Sequence, residues 1–422
     1  MCADNTKQAA RRLLDRDVAP VLIAYVEWVL REAAQRGIHR LYFLARDGYV
    51  LQKIAERFCA AHRLDIQCRY LYCSRMSLRM PDYHLIGEEA FRLLSQPGYH
   101  VTLRSLFQRV MLPETLYSRI LSEMGLSQPV PLDRELTAAQ VRLYGEKCKN
   151  SPSFYGWLQS ASQAAYPDTI GYFRQEGLFD ENCLAIVDSG WIGSMQRSLR
   201  QLLESAGYQG TICGFYFGLY AKPLEKADGE YFTFYFSKTG PVLDQALFNN
   251  NVLECILAAP HGMTVGYRWE KGRYEPVLQS DSGPEQIRRI EAGVSCILLA
   301  VERYLLAGQQ SLTRRDCVRI LRRFMARPSR QEAELWGSCS FCDDISGQYV
   351  LTLASEAQVS SLKYYSLFSK ILRKLTRGEK SEPDLLWPYG TAAFVQSPLK
   401  WCWYCGNIFL WAWLKYVREK WK

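Results

Sequence analysis

The sequence predicts an α/β protein with a Rossmann-like parallel sheet core, interrupted by a helical insertion and followed by an additional α+β C-terminal region. Three observations carry this. Helix-like and short apolar segments alternate up to residue 74, residues 82–181 lack any strand-like segment, and a strand, a glycine-bearing turn and a helix then resume. With 422 residues, 48% hydrophobic and 23% charged, the chain is an ordinary globular sequence long enough for more than one packed unit.

Residues 18–35 place Val21, Leu22, Ala24, Tyr25, Trp28, Val29 and Ala33 at helical spacing, and Gly37 stops that helix. A short apolar run, HRLYFLA, ends at Arg46-Asp47-Gly48, and YVLQKIAERFCAAH continues with helical period. CRYLYCS, residues 68–74, reads as the second strand. The insertion shows Leu103, Leu106, Phe107, Val110 and Met111 on one helical face. Beyond it, a strand at 184–187, a glycine-rich turn and a helix from about Ser194 are expected. Then come the apolar run TICGFYFGLY, the β-prone YFTFYF, a hairpin turning at Lys271-Gly272, and helices over 284–326. The resulting division is 1–81 and 182–280 for the two parts of the core, 82–181 for the insertion, and 281–422 for a helical C-terminal region with a Trp-rich basic tail.

The net charge of +9 is concentrated late. Arg314, Arg315, Arg319, Arg322, Arg323, Arg327 and Arg330 share one helical stretch, expected to be a solvated face, and Lys415, Arg418, Lys420 and Lys422 close the chain. No nucleic-acid partner is expected. The N-terminal stretch has no apolar signal region, so the expectation is a cytoplasmic protein whose 14 cysteines are reduced thiols. Cys339/Cys342 and Cys402/Cys405 form CxxC pairs, but their wide separation and the helical setting of the second favour core thiols over zinc. The tail from Trp401 to Leu414 is too short to span a bilayer. It reads as a helix docked on the body, with peripheral membrane contact as the alternative.

In an open parallel sheet, ligands bind where strands lead into helices. Two turns qualify: Arg46-Asp47-Gly48, and 188–194 with Asp188, Ser189, Gly190, Trp191, Gly193 and Ser194. Their free N–H groups and helix N-termini suit an anion such as phosphate, with Arg46 as a charged clamp. Asp47 and Asp188 would hold a divalent cation or transfer protons, and an N-cap or Asx-turn role is the alternative for each. Ser74 and Arg75 end the second strand; the hydroxyl either binds a phosphoryl oxygen or caps the next helix. Glu254 and His261 form a carboxylate and imidazole pair in an apolar setting, open to a catalytic or a purely structural role. No GxSxG, HExxH, Walker or GxGxxG motif is present.

The segments RLYFLARDGYVLQ, YLYCSR and AIVDSGWIGSMQRSL together resemble a group of bacterial haloacid-dehalogenase-like (HAD) proteins that accompany surface-polysaccharide glycosyltransferases. The resemblance spans about residues 18–276 and implies a HAD-like core with the insertion as its cap. In that pattern Asp47 and Gly48 match the second acid and the glycine of Asp-x-Asp-Gly, Ser74 the hydroxyl of the second motif, and Asp188 the metal-binding acid of the fourth. It implies Mg²⁺, a phosphorylated sugar or nucleotide-sugar ligand, and a glycosyltransferase partner. The phosphoryl-acceptor position is Ala45, whose methyl group cannot form an aspartyl-phosphate. Longer members carry the intact acidic motif in a preceding domain, so a binding or regulatory role is implied. Residues 188–194 also loosely resemble the ribose-phosphate loop of type I phosphoribosyltransferases, the competing expectation.

Overall fold

The structure is a computed structural model, and it describes residues 10–98, 100–126, 130–220, 229–279, 283–341, 351–366, 369 and 385–420. Its centre is a five-stranded, fully parallel sheet: β1 (Arg40–Leu44), β2 (Gln67–Leu71), β3 (Cys183–Trp191), β4 (Thr211–Leu219) and β5 (Glu230–Phe236), in the order β2-β1-β3-β4-β5. The fold is a Rossmann-like α/β arrangement. Because β2 and β3 lie on opposite sides of β1, the chain reverses its direction of travel there, which creates a crevice at the carboxyl ends of β1 and β3.

Strand residues alternate between two cores, as the period of two requires. Leu41, Phe43, Ala185, Val187, Phe215 and Phe217 face one layer, while Tyr42, Leu44, Leu184, Ile186, Ile212 and Tyr216 face the other. Burial on both faces explains why these strands read as continuous apolar runs. The first layer is built from α1 (Ala19–Gln35) and α2 (Gly48–His62).

Between β2 and β3 the chain is helical: α3 (Arg75–Ile86), α4 (Glu89–Leu94), α5 (Leu103–Gln108), α6 (Tyr117–Glu123), α7 (Ala138–Lys149) and α8 (Pro152–Gln175). Most of this segment closes on its own cluster, around Phe91, Leu106, Phe107, Ile120, Phe154 and Leu158. Two expectations shift here. The helical segment begins at Arg75, because Ser74 makes a capping box with Ser77. Met111 leaves the apolar face: it lies past the end of α5 at φ 51° and is exposed, while Leu106, Phe107 and Val110 are buried.

After β3 come α9 (Ser194–Ser205), α10 (Val242–Ala246) and α11 (Asn250–Ile256), then the antiparallel hairpin β6 (Thr264–Glu270) and β7 (Arg273–Leu278). Lys271 and Gly272 both take positive φ, as a two-residue primed turn demands. The C-terminal region supplies α12 (Pro284–Ala307), α13 (Arg314–Ala326), α14 (Arg330–Gly337), the two-residue strands β8 (Ser340–Phe341) and β9 (Leu351–Thr352), α15 (Pro388–Ala392) and α16 (Pro398–Lys420). Val301, Leu321, Phe324 and Trp387 join the same cluster as α1 and the sheet.

The arginine-rich stretch is not simply a solvated face. Arg314 donates to the Tyr235 carbonyl at 2.9 Å, Arg322 pairs with Asp244 at 2.7 Å, and Arg323 reaches Asp17 at 2.9 Å and Glu332 at 2.6 Å. Arginine here docks α13 onto other elements, since its long stem lets the charge reach past the helix's own surface. The tail docks too: Ile408 is buried and Tyr416 stacks on Tyr220, with ring centroids 5.2 Å apart. Cys342 of the first CxxC pair, and Lys422, lie outside the described residues.

Candidate functional site

The first surprise at the crevice is the end of β3. Residues 188–191 were expected as a turn, but Asp188, Gly190 and Trp191 remain paired with β4, opposite Tyr216, Gly218 and Leu219. On its other side β3 loses its neighbour after Val187, where β1 stops at Phe43 and Leu44. A strand supported on one side and open on the other is the result. That is the geometry of a switch point.

Gly190 makes the extension possible. It sits at φ 108°, and a Cβ there would lie 2.4 Å from the Gly218 carbonyl oxygen, closer than any real side chain approaches backbone. Gly48 serves the other loop, where a Cβ would meet the Phe43 backbone carbon at 2.6 Å, so only glycine lets α2 start hard against β1. Gly193, at φ 68°, precedes α9, which Ser194 opens. The N-termini of α2 and α9 thus share one edge of the sheet and add partial positive charge to it.

Asp47 and Asp188 meet in this crevice. Asp47 occupies the N-cap position of α2, but its side chain caps nothing; it accepts a short hydrogen bond from the Ser189 hydroxyl. Burial pushes the Asp47 carboxyl above its ordinary range, opposed by the Ser189 hydrogen bond and by the charges of Arg46 and Arg75. Asp188 is pushed up to about 8, first by burial and then by the negative charge of Asp47, against hydrogen bonds from the backbone of Ser189 and Gly190. The negative charge of Asp47 thus acts directly on Asp188, which places the two carboxyl groups within electrostatic reach of each other.

From below, the Tyr25 hydroxyl of α1 lies 3.0 Å from the Asp188 carbonyl oxygen and 2.9 Å from that of Phe215, and donates between them. This buried contact holds β3 and β4 together under the site. Trp191, at φ 75°, donates its indole N–H to Glu254 at 2.6 Å. Glu254 therefore braces the second loop.

His261 goes to the first loop instead, so the two residues expected as a pair serve different loops. Its Nδ1 lies 2.8 Å from the Gly262 carbonyl, which accepts the Nδ1 proton, and the Tyr70 hydroxyl donates to Nε2 at 2.7 Å. Burial lowers the His261 pKa, opposed by the hydrogen bond to the Gly262 carbonyl and aided by the nearby charge of Arg46. Around His261 stand Tyr49, Tyr70 and Tyr72, with ring centroids 5.0 to 6.3 Å away. Together they make an aromatic wall beside Arg46.

Ser74 takes the capping alternative. Its Oγ donates to the Thr264 carbonyl at 2.5 Å and accepts from the N–H groups of Met76 at 3.0 Å and Ser77 at 3.1 Å, so the hydroxyl is fully used by structure. Arg75 is exposed at the start of α3.

Sequence reasoning found the two acids but missed Tyr25 and the tyrosine wall. Tyr49 does follow Gly48 directly, and Tyr70 and Tyr72 alternate at the end of β2, yet 26 tyrosines in the chain leave such positions without contrast. A cavity of about 820 Å³ between Arg36, Cys183, Cys213 and Glu230 opens at the opposite edge of the sheet, away from the acids. Among the described residues, no group of three or more His, Cys, Asp or Glu side chains is placed to hold a metal unaided. The chain matches no protein-family model, and no curated protein is significantly similar to it.

Proposed function

We propose that the crevice between β1 and β3 is a Mg²⁺-dependent site for a phosphorylated sugar or nucleotide-sugar, in a HAD-like protein whose covalent phosphoryl transfer is blocked. The observation that carries this reading is the meeting of Asp47 and Asp188 at the open end of β3, among helix N-termini and beside Arg46. Two hard carboxylates are a sparse donor set for most metals. They suit Mg²⁺, which keeps several waters and takes one or two carboxylates together with substrate phosphate. Asp47 and Asp188 would hold the ion, and the chemistry it supplies when bound is neutralisation of phosphate charge.

The chain's own residues do the rest. Arg46 pairs with phosphate oxygens, the Ser189 hydroxyl orients Asp47, and the tyrosines around His261 offer apolar faces to a sugar or base. Ala45 stands at the acceptor position of the resembled motif, so no covalent intermediate is available and binding is the expected output. A surface-polysaccharide glycosyltransferase is the partner this reading implies.

Thermal melts with a panel of sugar phosphates and nucleotide-sugars test it. With Mg²⁺, a ligand at a hundredfold excess over its Kd should stabilise the fold by about 2.7 kcal/mol, without phosphate release. Chelation, or Asp47→Asn, should remove the shift. No shift with any ligand of the panel would sink the reading.

A further inference from the structure

The C-terminal helix α16 packs through one side only. Trp401, Tyr404, Cys405 and Ile408 lie against the main core, and Lys420 donates to the Gly240 carbonyl at 3.0 Å. On the opposite side Leu399 is 85% exposed and Trp403 53%, and Leu410, Trp413 and Leu414 are exposed as well. Their spacing of i, i+4, i+11, i+14 and i+15 puts all five on one face, a stripe about 22 Å long at 1.5 Å per residue. An ordinary docked helix turns charge outward; this one turns out a second apolar face.

We propose that this outward face rests on a membrane surface carrying anionic lipid headgroups, with α16 lying flat in the interface. Exposed Lys400 and Arg418 border the stripe, and Glu419 is the sole acid in the helix. Apolar residues including Trp at the centre and cations at the margin match a bilayer interface, whose apolar boundary lies just below negative headgroups. Among the described residues no helix is long and apolar enough to cross a membrane, so contact is by lying on the surface. The proposal is independent of the phosphate-site reading.

Co-sedimentation of the full chain with vesicles tests it, using phosphatidylcholine alone and phosphatidylcholine mixed with phosphatidylglycerol. Binding should require the anionic lipid and weaken with added salt. The double variant Lys400→Gln/Arg418→Gln should lose about 25-fold in affinity, from roughly fivefold per charge. Leu410→Ser/Trp413→Ser should abolish binding while keeping the melting temperature of the parent; if that variant misfolds, the charge variant decides. Equal binding to both vesicle types, or none to either, overturns the proposal. So does a stripe variant that dissolves a dimer of the chain in size-exclusion chromatography and leaves vesicle binding unchanged.

Discussion

Carboxylates are buried in two regions of this molecule with opposite consequences. At the sheet edge, Asp47 accepts from Ser189, and the backbone of Ser189 and Gly190 donates to Asp188, while both acids stay partly open to solvent. In the helical insertion, Asp82 of α3 has no exposed surface, and neither carboxylate oxygen has a hydrogen-bond partner. Burial pushes its pKa up to about 7, with Arg197 opposing, Glu89 adding and Arg79 opposing. The first pair is held at an opening where a ligand can complete it. The second acid is enclosed, and its charge is a cost to the fold.

The largest test of the comparison acts on the opening itself. Gly190→Ala forces a side chain into a positive-φ position against the Gly218 carbonyl and should destabilise by about 3 kcal/mol or more, measured by urea unfolding. A loss below about 1 kcal/mol would mean the strand end yields easily, and the site is less rigid than its geometry implies.

Asp82→Asn should work in the other direction. The folded protein keeps the Asp82 proton up to about pH 7, whereas the unfolded chain releases it at about pH 4. Stability therefore falls as pH rises between these values and levels off above them. The amide removes that slope, so the variant should be close to parity with the parent in acid and become progressively more stable than it as pH rises through this range. Parallel stability profiles for the two proteins would refute the assignment.

The smallest effect belongs to Tyr25→Phe, which leaves the core filled but removes the hydroxyl bridging the Asp188 and Phe215 carbonyls. About 1 kcal/mol should be lost. If ligand-induced stabilisation of this variant also falls, Tyr25 positions Asp188; if only global stability changes, it serves the core alone.

Local signals made much of the scaffold legible. The helix beginning at Gly48, the hairpin at Lys271-Gly272 and the strand after Gly37 follow from periodicity and turn chemistry, and these act over a few residues. Asp47 and Asp188 could be picked out because each stands where an apolar run gives way to glycine. The extension of β3 past Val187 was invisible because it depends on β4, whose pairing residues lie 28 positions further on. The role of Ser74 was open from sequence, since a hydroxyl before a helix suits a cap and a phosphate equally. Its capping box with Ser77, and a carbonyl from Thr264, a residue 190 positions away, decide it. Arg314, Arg322 and Arg323 read as surface charge, because nothing local announces acceptors at Tyr235, Asp244 and Asp17.

What the amino-acid order determined by itself is the α/β class and the alternation of apolar strands with helices that builds it, because these rest on side-chain period and backbone preference. Only the tertiary structure decided that β1 lies between β2 and β3, that Ser189 joins Asp47, that His261 sits among tyrosines of the first loop, and that α16 presents two apolar faces. Each of these is a pairing between segments far apart in the chain. Such pairings are selected by the packing of whole layers, and no local pattern encodes which distant surface a residue will meet.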